Sequence, residues 1–212
     1  MAMTLYGYFR SSSAYRVRIA LNLKGLAVTH RPRHLRKGEQ RSAEYLALNP
    51  QGLVPALVDE NGHVLIQSLA IIEWLDESWP DPPLLPAKAL ARARVRAFAQ
   101  IIACDTSPLQ NLKVLTALRR MDIGEEEVIA WAAAANRDGL AACEALLRDE
   151  QGPFCFGAAP SLADICLVPQ LASARRFGVD VSRFPRLLAC ETAARALPAF
   201  AAAEPERQID AE

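Results

Sequence analysis

Three short segments of this 212-residue chain combine polar side chains with backbone positions that suit ligand binding. The first is Arg10-Ser11-Ser12-Ser13, which lies between a predicted strand and a predicted helix. A helix N-terminus favours the thiolate form of a nearby thiol, and a serine hydroxyl can donate a hydrogen bond to the sulfur. The same pattern is typical of an ordinary serine N-cap, so the segment alone leaves both interpretations open.

The other two segments are Leu53-Val54-Pro55 and Gln67-Ser68. A proline between strand-like segments usually marks a sheet edge or a bulge, but a cis bond before Pro55 would expose the Val54 backbone to a peptide-like ligand. At the start of the following helix, the Ser68 hydroxyl and the backbone N–H groups suit a carboxylate. Simple helix capping explains this last pattern equally well.

The elements that position these segments follow the order β-α-β-α-β-β-α in the first part of the chain. Apolar runs, helical spacing and an Asn-Gly hairpin signal predict strands at residues 5–9, 28–31, 53–58 and 63–66, and helices at 14–26, 42–48 and 68–79. This order predicts a small mixed sheet with helices on its faces, the arrangement of a thioredoxin-like domain.

A proline-rich segment, residues 80–86, separates this half from the rest of the chain. Beyond it, long amphipathic stretches at 87–120, 125–149, 161–177 and 186–203 predict an all-helical domain. Ser161 and Asp164 form a capping-box pattern at the start of the third stretch, and Pro108 is expected to kink or break the first. We therefore expect an α/β domain over residues 1–82 and an all-α domain over 87–212.

The charge composition bears on the kind of ligand that the chain binds. Lysine and arginine together number 24, as do aspartate and glutamate, so the overall charge gives no argument for nucleic-acid binding. Up to Arg41, however, nine basic residues face one acid, Glu39. This asymmetry suits an anionic small molecule, although a solvated basic surface explains it more simply.

The sequence shows no secretory signal and no apolar run of membrane-spanning length, so we expect a cytoplasmic protein without a membrane partner. Five cysteines form no C-x-x-C or metal-like pair. They are expected to be reduced core residues, and no metal site is predicted.

Taken together, the segments resemble the zeta class of glutathione transferases over nearly the whole chain. The string from Phe9 to Gly25 is similar to the class signature Ser-Ser-Cys-x-x-Arg-Val-Arg-Ile-Ala-Leu. Further similar strings are Asn49 to Pro55, Gln67 to Glu73, Pro108 to Asn111, Ser161 to Asp164, and Val168-Pro169-Gln170. Members of this class use glutathione to isomerise maleylacetoacetate or maleylpyruvate to the fumaryl form. The resemblance therefore implies the glutathione transferase architecture, a thioredoxin-like domain followed by a helical one, and a homodimer.

The resemblance also implies roles for individual residues. Ser11, with Ser12 and Ser13 beside it, matches the serines that address the glutathione sulfur. The positions matching glutathione contacts are Gln40, Gln51, Val54 (through its backbone), Gln67, Ser68, Ser107 and Asn111. Arg10 and Arg176 match basic residues that bind the carboxylates of a dicarboxylic keto acid, and we expect them to face each other across a cleft.

Two positions depart from the class pattern. Ser13 replaces the usual cysteine, which zeta-like reductive dehalogenases need to resolve a mixed disulfide. Its absence argues against dehalogenation but leaves isomerisation, which needs only the sulfur of glutathione. Ser107 replaces a larger polar residue, Gln or His. With this change, the resemblance indicates less clearly which substrate the site prefers.

Two other functions stay open at this stage. One is a broader glutathione transferase that acts on α-halo acids or other electrophiles. The other is a glutathione-binding protein whose site has lost catalysis, since a fold does not guarantee a function. Between maleylacetoacetate and maleylpyruvate, which differ only in the tail beyond the keto group, the sequence does not decide.

Overall fold

Four short strands form one mixed sheet in the computed structural model, which describes residues 2–212. They are β1 (Thr4–Gly7), β2 (Thr29–Pro32), β3 (Ala56–Val58) and β4 (Val64–Ile66), in the spatial order β2-β1-β3-β4. Strand β1 is parallel to β2, and β3 is antiparallel to both β1 and β4. The parallel pair requires a crossover, which helix α1 (Ser12–Leu23) provides.

Two further helices accompany this sheet, α2 (Ala43–Leu48) and α3 (Ser68–Ser78). Short 3₁₀ turns at Leu35–Lys37 and Glu39–Arg41 lead into α2. The β-α-β-α-β-β-α order predicted from the sequence is thereby confirmed. Helix α1 is buried continuously from Ala14 to Leu21, and it packs against α3. A helix that is buried on all sides is normally apolar on every face. The two arginines in this stretch, Arg16 and Arg18, are therefore unusual.

Helices build the next part of the chain, as predicted. They are α4 (Ala89–Gln100), α5 (Leu112–Arg120), α6 (Glu125–Leu146), α7 (Leu162–Arg176) and α8 (Pro185–Arg195). A π-helical segment, Ile101–Thr106, extends α4. The helix then ends before Pro108, which confirms the expected break, and the capping box between Ser161 and Asp164 is present.

The π-helical segment lies very close to α6. A Cβ atom added to Gly139 would overlap the Thr106 side chain, so only glycine allows this approach. The Thr106 hydroxyl donates to the Ile101 carbonyl over 2.8 Å, which satisfies a backbone acceptor within the widened turn. Gly139 therefore fixes how closely this segment packs against α6.

The chain divides into two units after Leu84, and Leu197–Glu212 belongs to the first of them. This returning segment contains α9 (Pro198–Ala202) and the 3₁₀ turn Pro205–Arg207. The expected domain limits, 1–82 and 87–212, differ from this division at the C-terminus.

Hydrogen bonds explain why the returning segment packs with the first unit. The buried Arg18 donates from Nε to the Ala203 carbonyl over 3.0 Å, and the Asp210 carboxylate accepts from the Phe9 N–H over 2.9 Å. Burial lowers the pKa of Arg18 to about 10. A buried guanidinium needs acceptors, and the returning segment supplies one of them.

The described part of the chain contains no helix long and apolar enough to cross a membrane. All five cysteines are free thiols. Cys143, Cys155, Cys166 and Cys190 are buried, as expected of core residues, and burial raises the pKa of Cys143 to about 12. Cys104 is exposed, so the expectation of a core residue was wrong there. It lies on the π-helical segment, whose buried positions are instead Ile102 and Thr106.

Candidate active site

Ser11 is the N-cap of α1. Its backbone is extended, and its Oγ accepts a hydrogen bond from the Ala14 N–H over 3.2 Å. A hydroxyl that accepts in this way still has its proton to donate, so the oxygen can cap the helix and also address an acceptor such as a sulfur. Ser12 and Ser13 form the first turn and are half-buried. The helix dipole adds positive potential at this position.

The loop before β3 is held by side chains from α2 and its C-terminus. The Tyr45 hydroxyl and Asn49 Nδ2 both donate to the Leu53 carbonyl, over 2.6 and 2.7 Å. Burial raises the pKa of Tyr45 to about 12, which keeps this donor protonated. The Val54–Pro55 peptide bond is cis, and the Val54 side chain packs in a core cluster with Tyr45. The position of the Val54 backbone is thus set by the two hydrogen bonds that the carbonyl of the preceding residue, Leu53, accepts.

Gln67 has an unusual backbone conformation at the start of α3. Its φ is 69° and its ψ is 117°, a region that residues other than glycine rarely adopt. Such strain costs on the order of 1–3 kcal/mol and persists where the surroundings enforce it. Its Nε2 donates to Oε1 of Gln51 over 2.7 Å, so the structure brings together two of the residues assigned to the cofactor.

Ser68 begins α3 and contacts a residue that sequence reasoning missed. Nη1 of Arg16, in α1, donates to Ser68 Oγ over 3.4 Å. Arg16 is only 1% exposed. A buried guanidinium beside a helix N-terminus increases the positive potential where we expect a carboxylate to bind. The available sequence signal was its place between Tyr15 and Val17, in a helix whose buried stretch is apolar except for Arg16 and Arg18.

Gln40 shows a buried acceptor suited to a ligand. The residue lies in the second 3₁₀ turn, and its Nε2 donates to the Leu35 carbonyl over 3.3 Å. Its Oε1 is buried without a hydrogen-bond partner within residues 2–212. An unsatisfied buried acceptor is costly, and an amide N–H of a peptide-like ligand would satisfy it.

Arg10 lies between β1 and the N-cap of α1. Its guanidinium stands over the Phe9 ring, 5.1 Å from the ring centroid. The N–H of Phe9 is bound by Asp210, so the backbone just before Arg10 is fixed by the returning segment. Burial also raises the pKa of the neighbouring Tyr8 phenol.

The second unit contains the remaining assigned residues. Ser107 is buried at the end of the π-helical segment, where its N–H donates to the Ile102 carbonyl over 2.8 Å. Asn111 is the N-cap of α5 and accepts from the Lys113 N–H over 3.0 Å. Arg176 ends α7, and its Nη2 donates to Ser173 Oγ over 3.0 Å. The expected opposition of Arg10 and Arg176 stays a prediction.

One cluster of possible metal ligands lies in the same unit. Donor atoms of Cys155, Asp164 and Cys190 lie within 4.8 Å of one another, and all three residues are buried. The Asp164 carboxylate already accepts from the Cys155 and Ser161 N–H groups and from the Ser161 hydroxyl. Both carboxylate oxygens are engaged by these donors, so the capping box and the Cys155 N–H explain the position of Asp164.

Two family models match the chain. The model described as "Glutathione S-transferase, N-terminal domain" matches residues 10–78, and "Glutathione S-transferase, C-terminal domain" matches residues 115–189. The maleylacetoacetate isomerase of Pseudomonas aeruginosa is 50% identical over 210 residues, which cover 98% of each chain.

Solved structures agree with these matches. A bacterial maleyl pyruvate isomerase, described as a zeta-class glutathione S-transferase in its holo form, superimposes with a TM-score of 0.95. It is 46% identical, covering 99% of this chain and 100% of its own. The maleylacetoacetate isomerase of Anaeromyxobacter dehalogenans, with glutathione bound in its active site, gives a TM-score of 0.91. Its identity is 48%, over 100% of this chain and 98% of its own.

Proposed function

Because this chain belongs to the glutathione S-transferase family, we propose that it is a glutathione-dependent isomerase that converts a maleyl keto acid to its fumaryl form. The observation that carries this proposal is the N-cap position of Ser11, whose hydroxyl can donate to a thiolate at a helix N-terminus. Relatives of similar identity act, by their names, on maleylacetoacetate or on maleylpyruvate. The proposal therefore names the class of maleyl keto acids.

The residues of the first unit fit glutathione. The unsatisfied Oε1 of Gln40 suits a peptide N–H, and the α3 start with Arg16, Gln67 and Ser68 suits a carboxylate. Gln51 fixes the amide of Gln67, and the Leu53 carbonyl is anchored just before the Val54 backbone. Ser107 and Asn111 of the second unit are proposed as further polar contacts.

When bound, glutathione supplies a thiolate whose reversible addition to the alkene permits rotation, after which glutathione is released unchanged. Ser11 would lower the pKa of the thiol by donating to the sulfur, and the positive end of α1 would act in the same direction. Ser12 and Ser13 are proposed to keep this end of the helix polar. Both effects would stabilise negative charge on the sulfur atom, which carries that charge in the thiolate.

We propose that Arg10 and Arg176 bind the two carboxylates of the substrate. A guanidinium pairs with a carboxylate through two parallel hydrogen bonds, which orient the substrate as well as attract it. One carboxylate at each end of the molecule gives each arginine a partner. The arginines would also offset negative charge that develops on the substrate's keto group.

The direct test is to incubate the purified protein with glutathione and each maleyl keto acid in turn. Conversion is followed by the vinyl proton couplings, which differ between cis and trans isomers. We expect conversion that depends on glutathione without consuming it, and none with S-methylglutathione, which lacks the thiol. Haloacetate turnover that consumes glutathione would instead indicate a transferase. Binding of glutathione without any isomerisation would indicate an inactive binding protein.

We also propose that the protein works as a cytoplasmic homodimer. Free thiols at all five cysteines fit a reducing compartment, where glutathione is also supplied. The family membership supports the proposal of a dimer. Light scattering of the purified protein tests it, with a mass of twice 23.2 kDa as the expected result.

A further inference from the structure

Arg176 is exposed, and it is the first member of a chain of hydrogen bonds that leads from the surface into the interior of the second unit. Its Nη2 donates to Ser173 Oγ over 3.0 Å, one turn earlier in α7. The same hydroxyl donates to Oε1 of Gln110 over 2.7 Å. Because Ser173 both accepts and donates, its proton has one defined direction. The guanidinium is therefore held by a hydroxyl whose own orientation is fixed.

The chain continues beyond Gln110 into the interior of the second unit. Asn136 Nδ2, in α6, donates to Gln110 Oε1 over 3.3 Å and to the Ala132 carbonyl over 2.7 Å. Its Oδ1 accepts from Gln170 Nε2 over 2.6 Å. Ser173 is 2% exposed and Asn136 is fully buried. Buried networks of this kind are rigid, because each member would lose its partner if another moved.

The network begins at one assigned site residue and passes beside another. Gln110 directly precedes Asn111, the N-cap of α5, in the turn that follows the π-helical segment. The Ser173 hydroxyl that contacts Arg176 is thus itself bound to the turn that carries Asn111. A long arginine side chain loses much rotamer freedom on binding, so holding it beforehand reduces that cost.

We propose that Ser173 and Gln110 are positioning residues, which hold the Arg176 guanidinium in the orientation that binds a substrate carboxylate. This inference rests on the proposed function, since it assumes that Arg176 contacts the substrate. Neither residue needs to touch the substrate. Their effect acts through Arg176, so removing either one matters only while that arginine is present.

A double-mutant cycle tests this coupling. Ser173→Ala in the otherwise unchanged protein should lower kcat/KM for a maleyl keto acid about tenfold, mainly through KM, which is the scale of a hydrogen bond to a charged group. In an Arg176→Ala background the same change should have no further effect. Gln110→Met, which removes the acceptor of Ser173 but leaves its hydroxyl, should show the same dependence on Arg176 with a smaller loss.

Ser161→Ala is the matched control, since it removes a buried serine hydroxyl from the start of the same helix. It should lower the melting temperature but leave KM for the keto acid unchanged. Ser173→Thr keeps the hydroxyl and should recover most of the loss. Equal losses from Ser173→Ala with and without Arg176 would overturn the proposal, because they would show a purely structural role.

Failure of the proposed function gives a different result. If the unchanged protein isomerises no maleyl keto acid, the same cycle is measured as the affinity for malonate, a small dicarboxylate, in the presence of glutathione. Weaker malonate binding by Ser173→Ala only when Arg176 is present would support the positioning role without the isomerase. Absence of malonate binding to the unchanged protein would overturn both.

Discussion

The Tyr45 hydroxyl donates to the Leu53 carbonyl over 2.6 Å, one residue before the proposed backbone contact at Val54. Burial raises the pKa of this phenol from 10.0 to about 12. The folded protein therefore keeps the donor protonated at pH values where an unfolded chain begins to lose the proton. Its contribution to stability is complete below about pH 10 and is lost as the pH rises towards 12.

Tyr45→Phe should lower the free energy of unfolding by about 1 kcal/mol at neutral pH, since Asn49 still donates to the same carbonyl. The difference from the unchanged protein should shrink between pH 10 and pH 12. Urea unfolding at several pH values measures it. A constant difference across that range would show that Tyr45 does not titrate with folding.

Ser11→Ala should slow turnover most at neutral pH, because the bound thiol would lose a donor and its pKa would rise. At alkaline pH more thiolate is present without that donor, so the loss should be smaller. The measurement is the pH dependence of kcat at saturating glutathione, with Ser12→Ala and Ser13→Ala as comparisons. An unchanged profile for Ser11→Ala would transfer the role to one of those two serines.

Ser68→Ala should raise the glutathione concentration needed for half-maximal rate by about tenfold, with kcat retained, because Ser68 is assigned to binding. The variant also removes the acceptor of the Arg16 hydrogen bond. Ser78→Ala, at the exposed end of the same helix, is the control and should change neither constant. A large fall in kcat with unchanged glutathione affinity would contradict this assignment.

Arg176→Ala should cost about 1–3 kcal/mol in kcat/KM for a maleyl diacid, the scale of a lost charged hydrogen bond, with little change in glutathione affinity. Lysine should recover only part, since it retains the charge but not the planar fork. Arg10→Ala should behave similarly. Equal losses on the diacid and on an uncharged aryl halide would show that the arginines hold the fold or the cofactor instead.

Gly139→Ala should destabilise the protein by about 1–3 kcal/mol, although alanine normally favours a helix, because the added methyl overlaps Thr106. Combining it with Thr106→Ala should restore part of the loss by making room. Urea unfolding of both single variants and the double variant measures this. Additive losses would show that the two positions do not compete for space.

The order of elements and the capping box of α7 could be predicted from sequence because they depend on local signals, whereas Ser68 is the first residue of α3 and not its cap. Ser161 and Asp164 lie three residues apart, and both partners of the capping box are visible in the sequence. Pro108 likewise acts on its immediate neighbours. The resemblance then assigned roles that these local patterns left open, as at Ser11, which serves as an ordinary cap and also suits a thiolate.

The missed features depend on residues far apart in the chain. Arg16 contacts Ser68, 52 positions later, and Asp210 contacts Phe9, 201 positions earlier. Neither pairing leaves a periodic pattern, since each depends on which elements the fold brings together. For the same reason, the expected second domain, 87–212, includes the C-terminal segment that packs with the first unit. Helical spacing predicts the secondary structure of a segment but not the unit with which it packs.

The return of residues 197–212 to the first unit has a consequence for synthesis on the ribosome. The sheet and α1 are translated first, yet the carbonyl that accepts from Arg18 and the carboxylate that accepts from Phe9 are made only after the whole second unit. Until residue 203 has been made, Arg18 in the nascent first unit therefore lacks one of its acceptors. The Phe9 N–H, next to Arg10, likewise gains its carboxylate partner only when the C-terminal segment has been made.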